Sequence, residues 1–162
     1  MIIVSDTSPI SGLFVIDKLD ILEKLFGKII IPQAVMNELL ELEKRGIDLD
    51  KIKTASWIEI KPVHEQNEVE LLLEEVDLGE AEAIVLARHM KADWLLIDET
   101  KGRNLAKAEG INVLGLLGAL LKAKENGIIT SVKELADLLV TKAKFRITPD
   151  LYQMLLNLSN EK

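Results

Sequence analysis

Cysteine is missing from this chain, which excludes a disulfide framework, a thiolate zinc site and a cysteine nucleophile, and fits a reducing compartment. Histidine occurs only twice. His64 reads as a solvated loop residue, and no suitable His pair is left for a soft-metal centre. Long apolar runs are absent as well. The longest, Ile111 to Leu121, is too short to span a bilayer, and Met1 to Val4 carries no basic n-region, so a cytoplasmic protein without membrane contact is expected. Nor is there an internal repeat, a low-complexity tract or a linker. The 162 residues therefore read as one domain, 1–162, long enough to bury roughly two-thirds of its unfolded surface. Positive charge is in deficit: 20 Lys and Arg against 27 Asp and Glu give a net charge of −7. That balance argues against broad, non-specific adhesion to nucleic acid, although a cluster of metal-binding acids would itself add to the excess. With 48% hydrophobic and 29% charged residues, the composition is that of a globular protein and argues against disordered or fibrous classes.

The stretch from Asp77 to Arg103, DLGEAEAIVLARHMKADWLLIDETKGR, organises the rest. Ala83, Ile84, Ala87 and Met90 recur at helical spacing behind Gly79-Glu80, which predicts an amphipathic helix with Glu80 and Glu82 in its first turn. Trp94 to Ile97 is a short apolar run between polar residues, as expected of a strand buried on both faces of a parallel sheet. It stops abruptly at Asp98-Glu99. In open parallel α/β sheets the ligand crevice lies just beyond the carboxyl ends of the strands.

The first strand, Ile2 to Ser5, also ends on an acid, Asp6. Ser8 before Pro9 reads as an N-cap followed by the first helical residue, which leaves Asp6 without a capping role. Leu13 to Phe26 reads as two short helical pieces stopped by Gly27. Lys28 to Ile31 is a second strand, and Pro32 restarts a helix with Val35, Leu39 and Leu42 toward the core and Glu38 beside that stripe. Gly46 to Thr54 reads as a connection, Trp57 to Ile60 as a strand suited to a sheet edge, and His64 to Val76 as an acidic helix. Further on come a helix over Thr100 to Glu109 with Leu105 and Ala108 inward, a strand over Asn112 to Leu114, and a helix over Leu116 to Asn126. Ser131 to Lys142 opens with a capping box, Ser131 with Glu134. Asp150 to Leu158 closes the series. Strands alternating with helices predict an α/β protein whose central parallel sheet of about five strands has helices on both faces.

If the first and fourth strands are neighbours at the switch point, Asp6 and Asp98 face each other across the crevice. Carboxylates held close repel, so a cation, a proton or a basic residue must compensate them. Hard oxygen ligands select Mg²⁺ or Mn²⁺, ions that keep waters and bridge phosphates, and this points to phosphodiester hydrolysis. An aspartyl-phosphate phosphatase would need a second acid two residues after the nucleophile, and position 8 is Ser. Arg103 could hold a phosphate or pair with Glu99. Lys142, Lys144 and Arg146 form the one dense basic run, read either as a solvated helix terminus or as an RNA contact.

Several pieces, in order, then resemble PIN-domain proteins, in particular the PIN-like group of small prokaryotic proteins often found as toxins of toxin–antitoxin pairs. They are VSDTSPI, IIIPQAVMNEL, DLGEAEAIVLA, LLIDETKGR, GINVLGLLGALLKAKENGII and KFRITPDLY. The resemblance covers nearly the whole chain and implies a three-layer α/β/α fold and a Mg²⁺- or Mn²⁺-dependent ribonuclease. It implies Asp6, Glu38, Glu80 and Asp98 as the catalytic acids. Metal ligation would fall to Asp6, Asp98, Glu80 and Glu99, with Asp98 and Glu99 left as alternatives for the proximal acid. RNA contacts would come from Arg103, Lys142, Lys144 and Arg146, and the partners would be a small antitoxin protein and a second copy of the chain. The other reading is a PIN-fold RNA- or protein-binding module that has lost catalysis.

Overall fold

The computed structural model describes residues 1–162. Five strands form one parallel sheet: β1 (Ile3–Ser5), β2 (Ile29–Pro32), β3 (Ile58–Lys61), β4 (Trp94–Leu96) and β5 (Val113–Leu114). Their order is β3-β2-β1-β4-β5, so the chain winds outward in one direction through β3 and then returns to the other side of β1. β1 pairs with β4 in the register Val4 to Leu95 and Ser5 to Leu96. The anticipated neighbours are therefore adjacent, and the switch point of the sheet lies between them.

The short apolar strands follow a simple rule. Successive side chains point to opposite faces, and both faces are covered. Ile3, Ile29, Ile31 and Leu96 enter one core, while Val4, Ile30, Leu95 and Ile97 enter the other. Ten helices supply the outer layers: α1 (Thr7–Val15), α2 (Asp20–Phe26), α3 (Gln33–Lys44), α4 (Asp50–Lys53), α5 (Gln66–Leu72), α6 (Leu78–Met90), α7 (Thr100–Ala108), α8 (Leu116–Glu125), α9 (Val132–Lys142) and α10 (Pro149–Leu158). The larger core takes in α1, α2, α8 and α9, and the smaller is built around α6. The result is the three-layer α/β/α arrangement.

Local differences from the sequence expectation have physical causes. The first helix begins at Thr7 rather than at Pro9. The connection over Gly46 to Thr54 contains the one-turn helix α4, pinned because Leu49 and Ile52 are buried. The helix expected over His64 to Val76 is shorter, Gln66–Leu72, and His64 lies outside it, exposed. In α7 the inward residues are Gly102 and Ala106, with Ala108 exposed, because the i, i+4 pair carries the buried face. α6 is buried continuously from Gly79 to Ala87, so it is a central helix rather than an amphipathic surface one. The Ser131 cap forms as expected, its hydroxyl accepting the Glu134 amide at 3.1 Å.

The far end of the chain is tied down by one carboxylate. Glu161 accepts from Lys124 at 2.9 Å, Ser131 at 2.8 Å and the amides of Val132 at 2.9 Å and Lys133 at 3.1 Å. Burial pushes its carboxyl up, but these donors outweigh that and draw it to about 2. This clamp ties the chain beyond α10 to the N-terminus of α9 and to α8. No helix is long and apolar enough to cross a membrane.

Candidate functional site

The site is built from strand ends and helix starts. The Asp6 amide donates to the Leu96 carbonyl at 2.9 Å, which holds Asp6 against the end of β4. Asp6 occupies the N-cap position of α1, yet its side chain makes no capping bond. Ser8 is not the cap either. Thr7, Ser8 and Pro9 already form the first turn, where a proline costs no intrahelical bond, and Thr7 sends its hydroxyl to the Glu38 carboxylate. Asp6 is 4% exposed, and its Oδ1 meets no donor.

Asp98 lies two residues beyond β4. Its Oδ1 accepts the Leu116 amide at the start of α8 at 2.7 Å, while its buried Oδ2 has no donor. Glu99 is exposed at the N-cap of α7 and caps nothing. Glu80 comes from the first turn of α6 and is 7% exposed. Space for these groups is made by glycine. A Cβ at Gly102 would stand 2.7 Å from Glu80 Oε2, one at Gly115 would stand 3.1 Å from Asp98 Oδ1, and one at Gly79 would stand 2.6 Å from Glu38 Oε2.

Sequence reasoning missed Asp77. It caps α6 through Oδ1, which accepts the Glu80 amide at 2.8 Å, and its charge acts on Asp6 more strongly than that of Glu38 or Asp98. The D-x-x-E spacing could have revealed it as a capping box, but a cap alone gives no reason to count it among the site acids. Glu82 has a different job. Its Oε1 accepts the Ala34 amide at 3.0 Å, capping α3, whose N-cap position holds Pro32 with no side-chain acceptor.

Burial raises four of these acids, Asp6, Glu38, Glu80 and Asp98. Asp6 is pushed up to about 7, mainly by desolvation, with the Thr7 amide pulling partly back and the charges of Asp77, Glu38 and Asp98 adding. Glu80 is raised by burial and by a hydrogen bond to the Asp77 side chain. Asp98 is raised by burial against the Leu116 amide and the Arg103 charge. Glu38 is raised by burial and partly restored by the Thr7 hydroxyl.

Arg103 forms no ion pair with Glu99. Its Nη1 donates to the Ile97 carbonyl at 3.2 Å and its charge falls on Asp98. Lys144 and Arg146 line a groove of about 620 Å³ that Ser8, Asp98 and Glu99 also line, whereas Lys142 is not part of it. Glu99 also borders a second depression of about 480 Å³, lined by Glu74, Glu75, Asp77, Glu80 and Lys101.

The donor set consists of hard oxygens, and two buried carboxylate oxygens lack partners. No three of the acids converge closely enough, as the side chains stand, to hold one ion between them. That arrangement still suits Mg²⁺ or Mn²⁺, which bind through one or two carboxylates and keep several waters. In metal-free protein the raised Asp6 pKa carries a stability cost. The folded state keeps this proton longer than the unfolded chain, so stability is full below about pH 4 and falls as pH rises toward about 7. At about 1.4 kcal/mol per pH unit, the loss over that window is on the order of 4 kcal/mol. Urea unfolding in EDTA should therefore show a midpoint lower at pH 8 than at pH 5, and Asp6→Asn, with no capping bond to lose, should flatten the profile and raise the pH 8 value. A variant no more stable than the parent at pH 8 contradicts this account of Asp6.

A family model described as a PIN domain matches residues 2–161. Among curated proteins none matches the chain. The match spans both arms of the sheet and every acid of the crevice, and on that extent the chain belongs to the PIN-domain family.

Proposed function

We propose that the protein is a ribonuclease that hydrolyses RNA phosphodiesters with Mg²⁺ or Mn²⁺. The observation that carries this reading is the buried Asp6 Oδ1 without a donor, next to the end of the strand that leads to Asp98, whose Oδ2 is in the same state. Two orphaned carboxylate oxygens at a switch point are costly unless a cation completes them.

In this reading Asp6 and Asp98 hold the ion, with Leu116 and the Arg103 charge fixing the Asp98 carboxylate from behind. When bound, the ion would neutralise phosphate charge and make water a better nucleophile. Glu80, with its raised pKa, can exchange a proton near neutral pH and so orient and deprotonate the attacking water. The RNA backbone would enter along Lys144 and Arg146, since the other depression that Glu99 borders carries five acids against one lysine. Exposed Glu99 then belongs to the rim. The toxin role, with a small antitoxin protein covering the groove, is the finer form of this proposal. A binding module without catalysis is the second reading, favoured by the lack of three acids converging on one point.

Purified protein should cleave single-stranded or structured RNA with Mn²⁺ and not with EDTA, Asp98→Asn should lose at least 100-fold in rate, and expression of the parent but not the variant should arrest growth. Equal cleavage in EDTA removes the metal mechanism, and no cleavage by a Mn²⁺-loaded sample favours the binding module.

A homodimer belongs to the same reading. Leu151, Met154 and Leu158 stand 38%, 53% and 62% exposed along α10 and join a cavity of about 450 Å³ with Leu117 and Leu121 of α8. A second copy would cover that apolar stripe. Light scattering at micromolar concentration should give twice the 18.1 kDa chain mass; a monomer there contradicts the dimer.

A further inference from the structure

Beside the groove of Lys144 and Arg146 lies the cavity of about 450 Å³ at the edge of the sheet. Asp98, Thr100, Phe145 and Arg146 line both, so the two spaces adjoin. The cavity is apolar with a few polar groups set into it. Val113 and Leu114 come from β5, the edge strand, and Leu117 and Leu121 stand one turn apart on α8. All four are only half-buried. Gly115, at the N-cap of α8, leaves room for the Arg103 guanidinium, since a Cβ there would stand 2.6 Å from its Nη1. The Ile97 carbonyl holds that guanidinium at 3.2 Å.

Phe145 is placed by the way the chain leaves α9. Lys144 takes a left-handed backbone, φ 58, which is disfavoured for any residue with a Cβ, and the Phe145 amide turns back to the Leu139 carbonyl at 3.0 Å. Helices commonly close in this way when the residue past their end is left-handed. The Phe145 ring packs partly against the larger core and also lines both the cavity and the groove. Its neighbour Arg146 is exposed.

A volume within the usual range of small-ligand clefts, about 300 to 1,000 Å³, with an apolar lining and few polar groups, suits a planar heteroaromatic ring. The core of a protein–protein contact is depleted in charge, whereas this cavity carries Asp98, Arg103 and Arg146. Proteins take up unpaired bases by stacking them on aromatic rings or guanidinium planes, beside a cationic track for the backbone. Resting on the ribonuclease reading above, we propose that the cavity is a nucleobase subsite, in which an unpaired base of the RNA strand bound along Lys144 and Arg146 packs against Phe145. The substrate class is then single-stranded RNA, because a paired base must first be pulled from its duplex. A second copy seated on Leu151, Met154 and Leu158 would border the same cavity, and the dimer is compatible with the subsite only where it leaves Phe145 open.

Fluorescence anisotropy in EDTA, which keeps the strand intact, compares oligouridylate with the same ribose phosphate chain lacking bases. The parent should bind oligouridylate about tenfold more tightly. Phe145→Leu removes the ring and keeps an apolar group against the core, and Leu117→Trp fills the cavity. Each should weaken oligouridylate about fivefold or more and leave the abasic strand close to the parent value. A strand carrying one 5-iodouridine should crosslink to Phe145 under ultraviolet light, and annealing it to its complement should remove the crosslink. The proposal is overturned if the abasic strand binds as tightly as oligouridylate, if variants that melt like the parent weaken both strands equally, or if crosslinks fall only outside the cavity. Loss of the crosslink as protein concentration rises into the dimer range gives the cavity to the second copy and overturns it as well. A parent that binds neither strand sinks the subsite and the ribonuclease reading together, whereas the expected binding without cleavage in Mn²⁺ leaves the subsite standing and removes the nuclease.

Discussion

The crowding of carboxylates at the carboxyl ends of β1 and β4 is the constraint on which the rest of this structure depends. A buried acid is tolerated only where something opposes its charge, and here the opposition comes largely from backbone. α1 starts at Thr7 directly after Asp6, α6 starts behind Asp77, α7 starts behind Glu99, and α8 presents the Leu116 amide to Asp98. Four helix N-termini thus lie beside the acids with the positive ends of their dipoles, and two of them give an amide to a carboxylate, α6 to Asp77 and α8 to Asp98. One arginine, Arg103, adds its charge beside Asp98. The compensation is incomplete, since Asp6 and Asp98 each retain an oxygen with no donor. A protein that needed only to be stable would gain by replacing Asp6; that the carboxylate stands there is the physical reason to read the crevice as a place for a cation.

Positioning these groups uses most of the fold. Parallel strands put β1 and β4 side by side, and alternation of their side chains between two cores makes both strand ends rigid. Glycines at 79, 102 and 115 lie against the acids and permit approaches that any side chain would block. The C-terminal clamp at Glu161 acts at longer range. It ties the chain beyond α10 to the N-terminus of α9 and to α8. Lys144 and Arg146 share their groove with Asp98 and Glu99, a local supply of positive charge that the net charge of −7 conceals.

Much of this was legible in the sequence, and the parts that were not share a cause. Asp6 and Asp98 could be read because each interrupts an apolar run, which is local information. The sheet followed from alternation of strands and helices, and Glu38 stood out as an acid beside a core stripe. Ser8 was misread as a cap because the cap rule is local, whereas the geometry is set by Thr7 reaching Glu38, 31 positions away. Glu82 could have been a solvated first-turn acid; only the packing of α6 on α3 shows that it caps a helix beginning with an amide beyond the reach of Pro32. Asp77 reads as an ordinary start to a helix, and it is one, its Oδ1 accepting the Glu80 amide. The inward face of α7 was misjudged by two residues, Ala106 for Ala108, because a short polar helix with one glycine has a weak apolar period.

The central claim is that the unpartnered oxygens of Asp6 and Asp98 are completed by a divalent cation. Anomalous diffraction from crystals soaked in Mn²⁺ at pH 8 tests it most directly. The account predicts a single strong peak within coordination distance of Asp6 Oδ1 and Asp98 Oδ2, with water filling most of the remaining positions. A peak held only by other acids, such as Glu74 and Glu75, or no peak at all, contradicts it.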